Sequence, residues 1–110
     1  AMTFVPGSAA RLHRMEQARR QIQHQLDVID RQIVRRMTAI IPSLRPKRTA
    51  YRRRRAPDPR AFLERYRGHL AAITAERQPE IDALSRKLAR QDRAIVALRE
   101  RRGMSEGLMK

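Results

Sequence analysis

Two long stretches of the chain place apolar side chains at alternating spacings of three and four residues, the period of a helix that buries one stripe. In residues 8–41 the stripe is formed by two interleaved series, Leu12, Leu26, Ile33 and Ile40 in one and Met15, Ile22 and Ile29 in the other. Arg19 and Arg36 interrupt these series. Because the spacing is that of the a and d positions of a coiled coil, we predict a first helix with a seam along one side.

The second stretch, residues 60–102, has a similar stripe with a change of phase in the middle. Its apolar members are Leu63, Tyr66, Leu70, Ile73, Ile81, Leu84, Leu88, Ile95 and Leu98. Two steps of four follow one another around Arg77, and Pro79 lies within this change of phase. Because proline lacks the backbone N–H and crowds the preceding turn, we expect the second helix to be kinked or split at Pro79, with a break near residues 77–79.

Short-range signals predict the helix boundaries. Ser8 follows a proline and a glycine and suits an N-cap, whereas Pro42 is expected to end the first helix at residue 41. Asp58 suits the cap of the second helix, Pro59 its first turn, and Gly103 its end. The remaining segments are a disordered tail at residues 1–7, whose first residue resembles a tag remnant, a Pro- and Arg-rich connector at 42–59, and a flexible tail at 103–110.

The sequence therefore predicts an all-α protein, an antiparallel, coiled-coil-like helical hairpin. A lone hairpin covers only one stripe on each helix, so we expect it to dimerise into a helical bundle. The residues expected at this oligomer seam are Leu12, Met15, Ile22, Leu26, Ile29, Ile33, Leu70, Ile73, Ile81, Leu84, Leu88, Ile95 and Leu98.

The register of the hairpin follows if the second helix folds back directly. With Ile41 near Arg60, Arg19 falls opposite Asp82 and Arg36 falls opposite another cation, Arg65. The first pairing would set the register. The second suggests either a different register or arginines that contact a partner.

The connector is the most strongly charged segment of the chain, and its charge suggests what the protein could bind. The chain of 110 residues has a net charge of +15, and seven of the eleven residues from 45 to 55 are cationic. So many like charges gain nothing from burial and must face water or a polyanion. The candidate residues for binding nucleic acid or another anion are Arg45, Lys47, Arg48, Arg52, Arg53, Arg54 and Arg55. A solvated loop is the alternative interpretation.

Arginine supplies 23 of the 26 cations, which favours bidentate contact with phosphate, although a GC-rich coding sequence would give the same bias. Tyr51, Phe62 and Tyr66 lie near the basic segment. They can either plug the end of the core or offer a platform on which bases stack.

Several functional classes have no support in the sequence. There is no cysteine, so there is no disulfide, thiolate zinc site or cysteine nucleophile. His13 and Glu16 have a helical spacing suited to a metal, but the further carboxylates that such a site in a bundle needs are missing, and no glycine-rich phosphate loop occurs, so we expect no catalytic residues, metal or cofactor. The absence of a membrane-length apolar segment and of a signal-like amino terminus predicts a cytoplasmic protein without a membrane span.

Residues 26–34, LDVIDRQIV, resemble the first-helix signature of AroQ-type chorismate mutases, a helical dimeric family that binds a dicarboxylate with cationic side chains. The family has an arginine before this signature and another after it, where this chain has Gln23 and Ile40. The resemblance implies a helical seam, with a mutase or lyase as one functional alternative. In outline the chain is also similar to the basic helical hairpins of type III secretion export apparatus, which implies a protein-interaction stalk or adaptor. Our leading hypothesis is a non-enzymatic, oligomeric hairpin that binds nucleic acid or an acidic surface through its connector.

Overall fold

The computed structural model describes residues 7–45 and 58–108, with side chains through residue 104. Two helices account for nearly all of this part of the chain: α1 (Ser8–Leu44) and α2 (Pro59–Leu108). They pack against each other as an antiparallel hairpin, which confirms the predicted fold class. By compactness the chain divides into two units, one formed by Ala1–Asp27 with Ile81–Lys110 and the other by Val28–Glu80.

Each unit has its own small core. In the first unit the buried apolar side chains are Ile95 and Leu98. In the second unit they are Ile29, Ile33, Met37, Leu44 and Ile73. On α1, Ile29, Ile33 and Met37 are four residues apart and Leu44 follows seven residues later, and on α2 Ile95 and Leu98 are three apart. These steps belong to the apolar period read from the sequence.

α1 begins at Ser8, as predicted, but its N-cap is Gly7 rather than Ser8. The Gly7 carbonyl accepts the first helical hydrogen bond, from the Arg11 N–H at 2.8 Å, and Gly7 has a φ of 76°. Gly7 therefore occupies the N-cap position, and Ser8 is the first helical residue. Glycine suits this position because side chains rarely tolerate a left-handed backbone.

The prediction that Pro42 ends the first helix was wrong, because α1 continues to Leu44. Three contacts stabilise the extra residues. The Leu44 side chain is buried, its carbonyl accepts a hydrogen bond from the Arg65 guanidinium at 2.9 Å, and the Ser43 hydroxyl donates to the Ile40 carbonyl at 2.6 Å. Carbonyls at the end of the helix thereby accept hydrogen bonds from a side chain of α1 and from a side chain of α2.

The second helix is continuous through both of the residues expected to interrupt it. Pro79 lies inside α2, so the helix is not split there. The predicted end at Gly103 was also wrong, since α2 runs to Leu108 and residues 103–108 are helical rather than a flexible tail. A glycine stop requires a left-handed backbone. Among the described glycines only Gly7 has a positive φ, so Gly103 continues the helix.

The register also differs from the expectation. In the first unit Arg19 pairs with Asp92 rather than lying opposite Asp82, and in the second unit Arg36 pairs with Glu76 rather than lying opposite Arg65. The expectation assumed a direct return at Ile41. The helices do not meet in that way, because Arg65, rather than Arg60, reaches the end of α1.

Candidate nucleic-acid interface

The connector is only partly within the described residues. Arg45 is exposed immediately after α1, whereas Lys47, Arg48 and Arg52–Arg55 lie outside the residues that the structure describes. At the other end of the connector, the Asp58 carboxylate accepts a hydrogen bond from the Arg60 N–H at 3.0 Å, and α2 begins at Pro59. The predicted cap is confirmed. This cap uses the side chain of Asp58, which is the one carboxylate between residues 45 and 58.

The thirteen predicted seam residues all lie at least partly inside the hairpin. Ile29, Ile33, Ile73, Ile95 and Leu98 are buried, and the other eight are partly buried. The seam is therefore used within one chain. Its use between chains stays a prediction.

In the first unit, polar residues of the seam have partners on the facing helix. Arg19 forms an ion pair with Asp92, and the Gln91 side-chain amide donates to the Met15 carbonyl at 3.0 Å. Because these groups sit at or beside seam positions, a shifted register would separate them from their partners. The polar interruptions of the apolar stripe therefore specify the register, a role that single polar seam residues play in coiled coils.

Arg99 adds a further cross-helix ion pair in the same unit, with its guanidinium 2.6 Å from the Glu16 carboxylate. An open cleft of about 530 Å³ lies between the two pairs, with Ile95 and Val96 among its lining residues. Its rim contains carboxylates as well as arginines. This cleft is a poor site for an anion, because its own acids already neutralise most of the positive charge.

In the second unit, arginine side chains also form contacts across the two helices. The Arg36 guanidinium is 2.6 Å from the Glu76 carboxylate, and Arg77 donates to the Gln32 side chain at 2.7 Å. Arg77 also donates two hydrogen bonds of 3.1 Å to Glu80, which brackets Pro79 within α2. The arginines that interrupt the predicted seam are therefore engaged inside the hairpin.

The ion pair between Arg36 and Glu76 also affects the protonation of the Glu76 carboxyl group. Arg36 lowers the pKa of Glu76 from its ordinary value, first through a hydrogen bond to the carboxylate and second through its charge. Both favour the ionised form of the carboxylate.

The aromatic pair at the start of α2 is partly buried. The rings of Phe62 and Tyr66 are stacked, with centroids 6.4 Å apart and an angle of 27° between their planes. Tyr51 lies outside the described residues. Each ring of the pair therefore has one neighbour within its own helix.

The other sequence candidates are dispersed. His13, His24 and His69 are exposed, and no three acidic or histidine side chains converge on a metal-sized site among residues 7–45 and 58–104. In the chorismate-mutase-like segment, the Gln23 amide donates to Asp27 at 3.2 Å and Ile40 is partly buried. Neither residue supplies the cation that the resemblance requires.

Comparisons with protein families, curated proteins and solved structures gave no match to this chain. Neither described helix has an apolar stretch that could cross a membrane. Arguments about function therefore depend on the residues themselves.

Proposed function

We propose that this protein is a non-enzymatic helical hairpin that associates with a second copy and binds nucleic acid through its arginine-rich connector. The observation that carries the proposal is a contrast in charge compensation. Arginines along the seam have carboxylate or amide partners within the hairpin. Residues 45–58 contain seven cations and one carboxylate, and that carboxylate caps α2.

A segment with seven cations and one carboxylate favours a polyanion over a small anion. Each arginine or lysine that neutralises a phosphate releases condensed counterions, so several cations in one segment act together. The composition does not indicate base reading, since phosphate contacts position a protein without specifying sequence. We therefore expect binding that depends strongly on salt and weakly on sequence.

The test is a fluorescence anisotropy titration of a short labelled nucleic acid at several salt concentrations. Substituting Arg52–Arg55 by serine should lower the salt slope by about 3.6, at about 0.9 for each lost contact with a B-form phosphate. A matched control removes four exposed arginines from the helices, Arg20, Arg31, Arg35 and Arg93. Equal losses in the two variants would show that net charge alone matters, and no binding at low salt would reject the nucleic-acid part.

An acidic protein is the competing partner. A protein-interaction stalk would contact its partner through arginines beside the seam, such as Arg36 and Arg77, but both are engaged within the hairpin. A protein partner would therefore depend on the same connector. Recovery of a nuclease-resistant protein complex, with no affinity for nucleic acid, would favour that alternative.

Self-association has a candidate surface in the second unit. The Arg36–Glu76 pair marks one edge of the seam, and by helical position Val34 and Leu63 lie at the opposite edge. These two side chains are 56% and 45% exposed. A groove of about 400 Å³ continues the same edge, lined by Arg67, Leu70, Ala71, Thr74, Ala75 and Gln78. Apolar residues clustered in this way are typical of an interaction surface.

A second copy fits this edge by charge as well as by apolar character. A two-fold axis crossing α1 between its residues 37 and 38 brings Val34 opposite Ile41 of the other copy. The same axis brings exposed Asp30 opposite exposed Arg45. A C2 interface is self-complementary in this sense.

The dimer can be tested by sedimentation equilibrium of the full chain. Val34→Glu should shift the protein to monomer, whereas Ala39→Glu, at an exposed position on the other edge of α1, should not. Asp30→Arg and Arg45→Asp should each weaken the dimer, and the double variant should restore it. A wild-type chain that stays monomeric at high concentration would remove self-association and leave nucleic-acid binding to its own test.

A further inference from the structure

The two edges of the seam in the first unit differ in charge. The edge that contains Glu16, Asp92 and Arg99 is the paired edge, because its charged groups form ion pairs across the hairpin. On α1 the series that begins at Leu12 supplies the a positions and the series that begins at Met15 the d positions. On α2, Leu88 and Ile95 are a positions, and Gln91 and Leu98 are d positions. Glu16, Asp92 and Arg99 each directly follow a d position. Since Glu16 on α1 contacts Arg99 on α2, residues that follow d positions on the two antiparallel helices share one edge.

The opposite edge is formed by two kinds of residue: those directly before an a position, and those two residues after an a position. Arg11 precedes Leu12, and Lys87 precedes Leu88. The cations at such positions in the first unit form what we term the basic edge: Arg11, Arg14, Lys87, Arg90 and Arg101. All five are exposed, and within the described residues none forms an ion pair.

No described carboxylate of the first unit lies on the basic edge. The paired edge and its outer flank contain Glu16, Asp27, Asp82 and Asp92. Glu100 is on the side of α2 that faces away from the seam, on the same strip as Arg86 and Arg93. Positive charge on the basic edge is therefore not neutralised locally, in contrast to the cleft between the two ion pairs.

The residues between these cations also suit a phosphate backbone. They are Ala18, Gln21, Gln25, Ala83, Ala94 and Ala97, with Met104 at the end. Alanines permit close approach, and glutamine amides can donate to phosphate and sugar oxygens. On α2 the cations extend from Lys87 to Arg101, about 21 Å at 1.5 Å per residue. Packed helices lie about 8–10 Å apart. This separation resembles that of phosphate rows that border the major groove, about 12 Å.

We propose that the basic edge of the first unit is a second binding surface for nucleic acid, which recognises the backbone of a duplex without reading its sequence. The proposal rests on the proposed nucleic-acid binding but not on the connector. A duplex is favoured over a single strand because the edge has no aromatic side chain on which bases could stack. A lipid surface is disfavoured because membrane-surface helices need a broad apolar face, and this edge has only Met104.

The experiment compares variants with equal net charge. The edge variant replaces Arg14, Arg90 and Arg101 by glutamine. The control variant replaces Arg20, Arg31 and Arg93, three exposed arginines outside the edge, by glutamine. Glutamine has a helix propensity close to that of arginine, so both variants should keep the wild-type circular dichroism at 222 nm.

Duplex binding is measured by anisotropy titration with a short labelled duplex of arbitrary sequence. Lipid binding is measured in parallel with vesicles that contain or lack phosphatidylserine. The edge variant should lower the salt slope by about 2.7 and weaken duplex binding up to about 100-fold near 0.15 M salt, whereas the control should change binding several-fold at most. Equal losses in the two glutamine variants would overturn the proposal. So would edge-dependent binding to anionic vesicles without binding to duplex.

The connector variant with Arg52–Arg55 replaced by serine separates this proposal from the proposed function. If it loses binding while the edge and control variants behave alike, the connector binds nucleic acid and the edge does not. If it retains binding that the edge variant loses, the edge is the site and the connector is not. A wild-type chain that binds no duplex at low salt overturns both.

Discussion

Leu98 provides a direct test of how the seam stabilises the first unit. Its side chain is 3% exposed, whereas Val96, two residues earlier on the same helix, is 52% exposed. Substituting each of these two residues by alanine therefore compares a buried side chain with an exposed one in the same turn of the helix. We compare Leu98→Ala with Val96→Ala.

The two substitutions should differ by several kilocalories per mole. Leu98→Ala removes a fully packed side chain and leaves a cavity, for which a loss of about 3 kcal/mol is expected within the range of about 2–5. Val96→Ala removes two methyl groups that are half exposed, a loss of about 0.8 kcal/mol, which the better helix propensity of alanine largely offsets at about 0.6 kcal/mol. Its net effect should lie within about 0.5 kcal/mol of zero.

Urea unfolding followed by circular dichroism measures both values, with the m-value as a check that the unfolded state is unchanged. A loss below about 1 kcal/mol for Leu98→Ala, or a loss equal to that of Val96→Ala, would refute the argument that the seam is tightly packed there. Because small proteins have about 0.05–0.15 kcal/mol of stability per residue, the expected loss is a large share of the total.

Three further predictions follow from single contacts. Arg36 lowers the pKa of Glu76, so its stabilising contribution is fully present above the ordinary carboxyl pKa and is lost as the pH falls through the lower folded value; Glu76→Gln should flatten this part of the stability profile measured from neutral pH to pH 3. Gly7→Ala should destabilise the protein by about 1 kcal/mol because φ is 76°, whereas Gly68→Ala, in an open helical position, should stabilise it by about 0.5–1 kcal/mol; thermal unfolding measures both. Gln91→Ala should cost about 1 kcal/mol in urea unfolding and increase amide exchange nearby, because the Met15 carbonyl loses the second hydrogen bond that it accepts, the one from the facing helix.

The helical period and the hairpin could be predicted because they depend on which side chains avoid water. Leu12 and Ile33 are more than 20 residues apart, yet both fit one repeat, and both lie inside the hairpin. The helix ends were less predictable. Pro42 obeys a local rule, but buried Leu44 and the Arg65 hydrogen bond are contacts between distant residues. Tertiary contacts override a local stop when they satisfy the freed carbonyls.

The register and the basic edge were missed for related reasons. The assumed direct return at Ile41 gave Arg36 a cationic neighbour, and that conflict was itself a sign of a wrong register. The actual partners, Glu76 and Asp92, lie 11 and 10 residues further along α2 than the positions that the direct return places opposite Arg36 and Arg19, so they could not be assigned without the correct alignment. The basic edge could be found only after Arg99 and Glu16 identified the paired edge. Before that, Arg90 and Arg101 looked like ordinary solvated positions.

The distribution of carboxylates connects stability with the two proposed binding surfaces. A net charge of +15 opposes compaction through self-repulsion. The chain offsets part of this repulsion where it also fixes the register, with Asp92 and Glu16 in the first unit and Glu76 in the second. Acids used at those contacts cannot neutralise the basic edge or the connector. The same pairs that hold the helices in register therefore leave the remaining positive charge concentrated on the two surfaces proposed to bind nucleic acid.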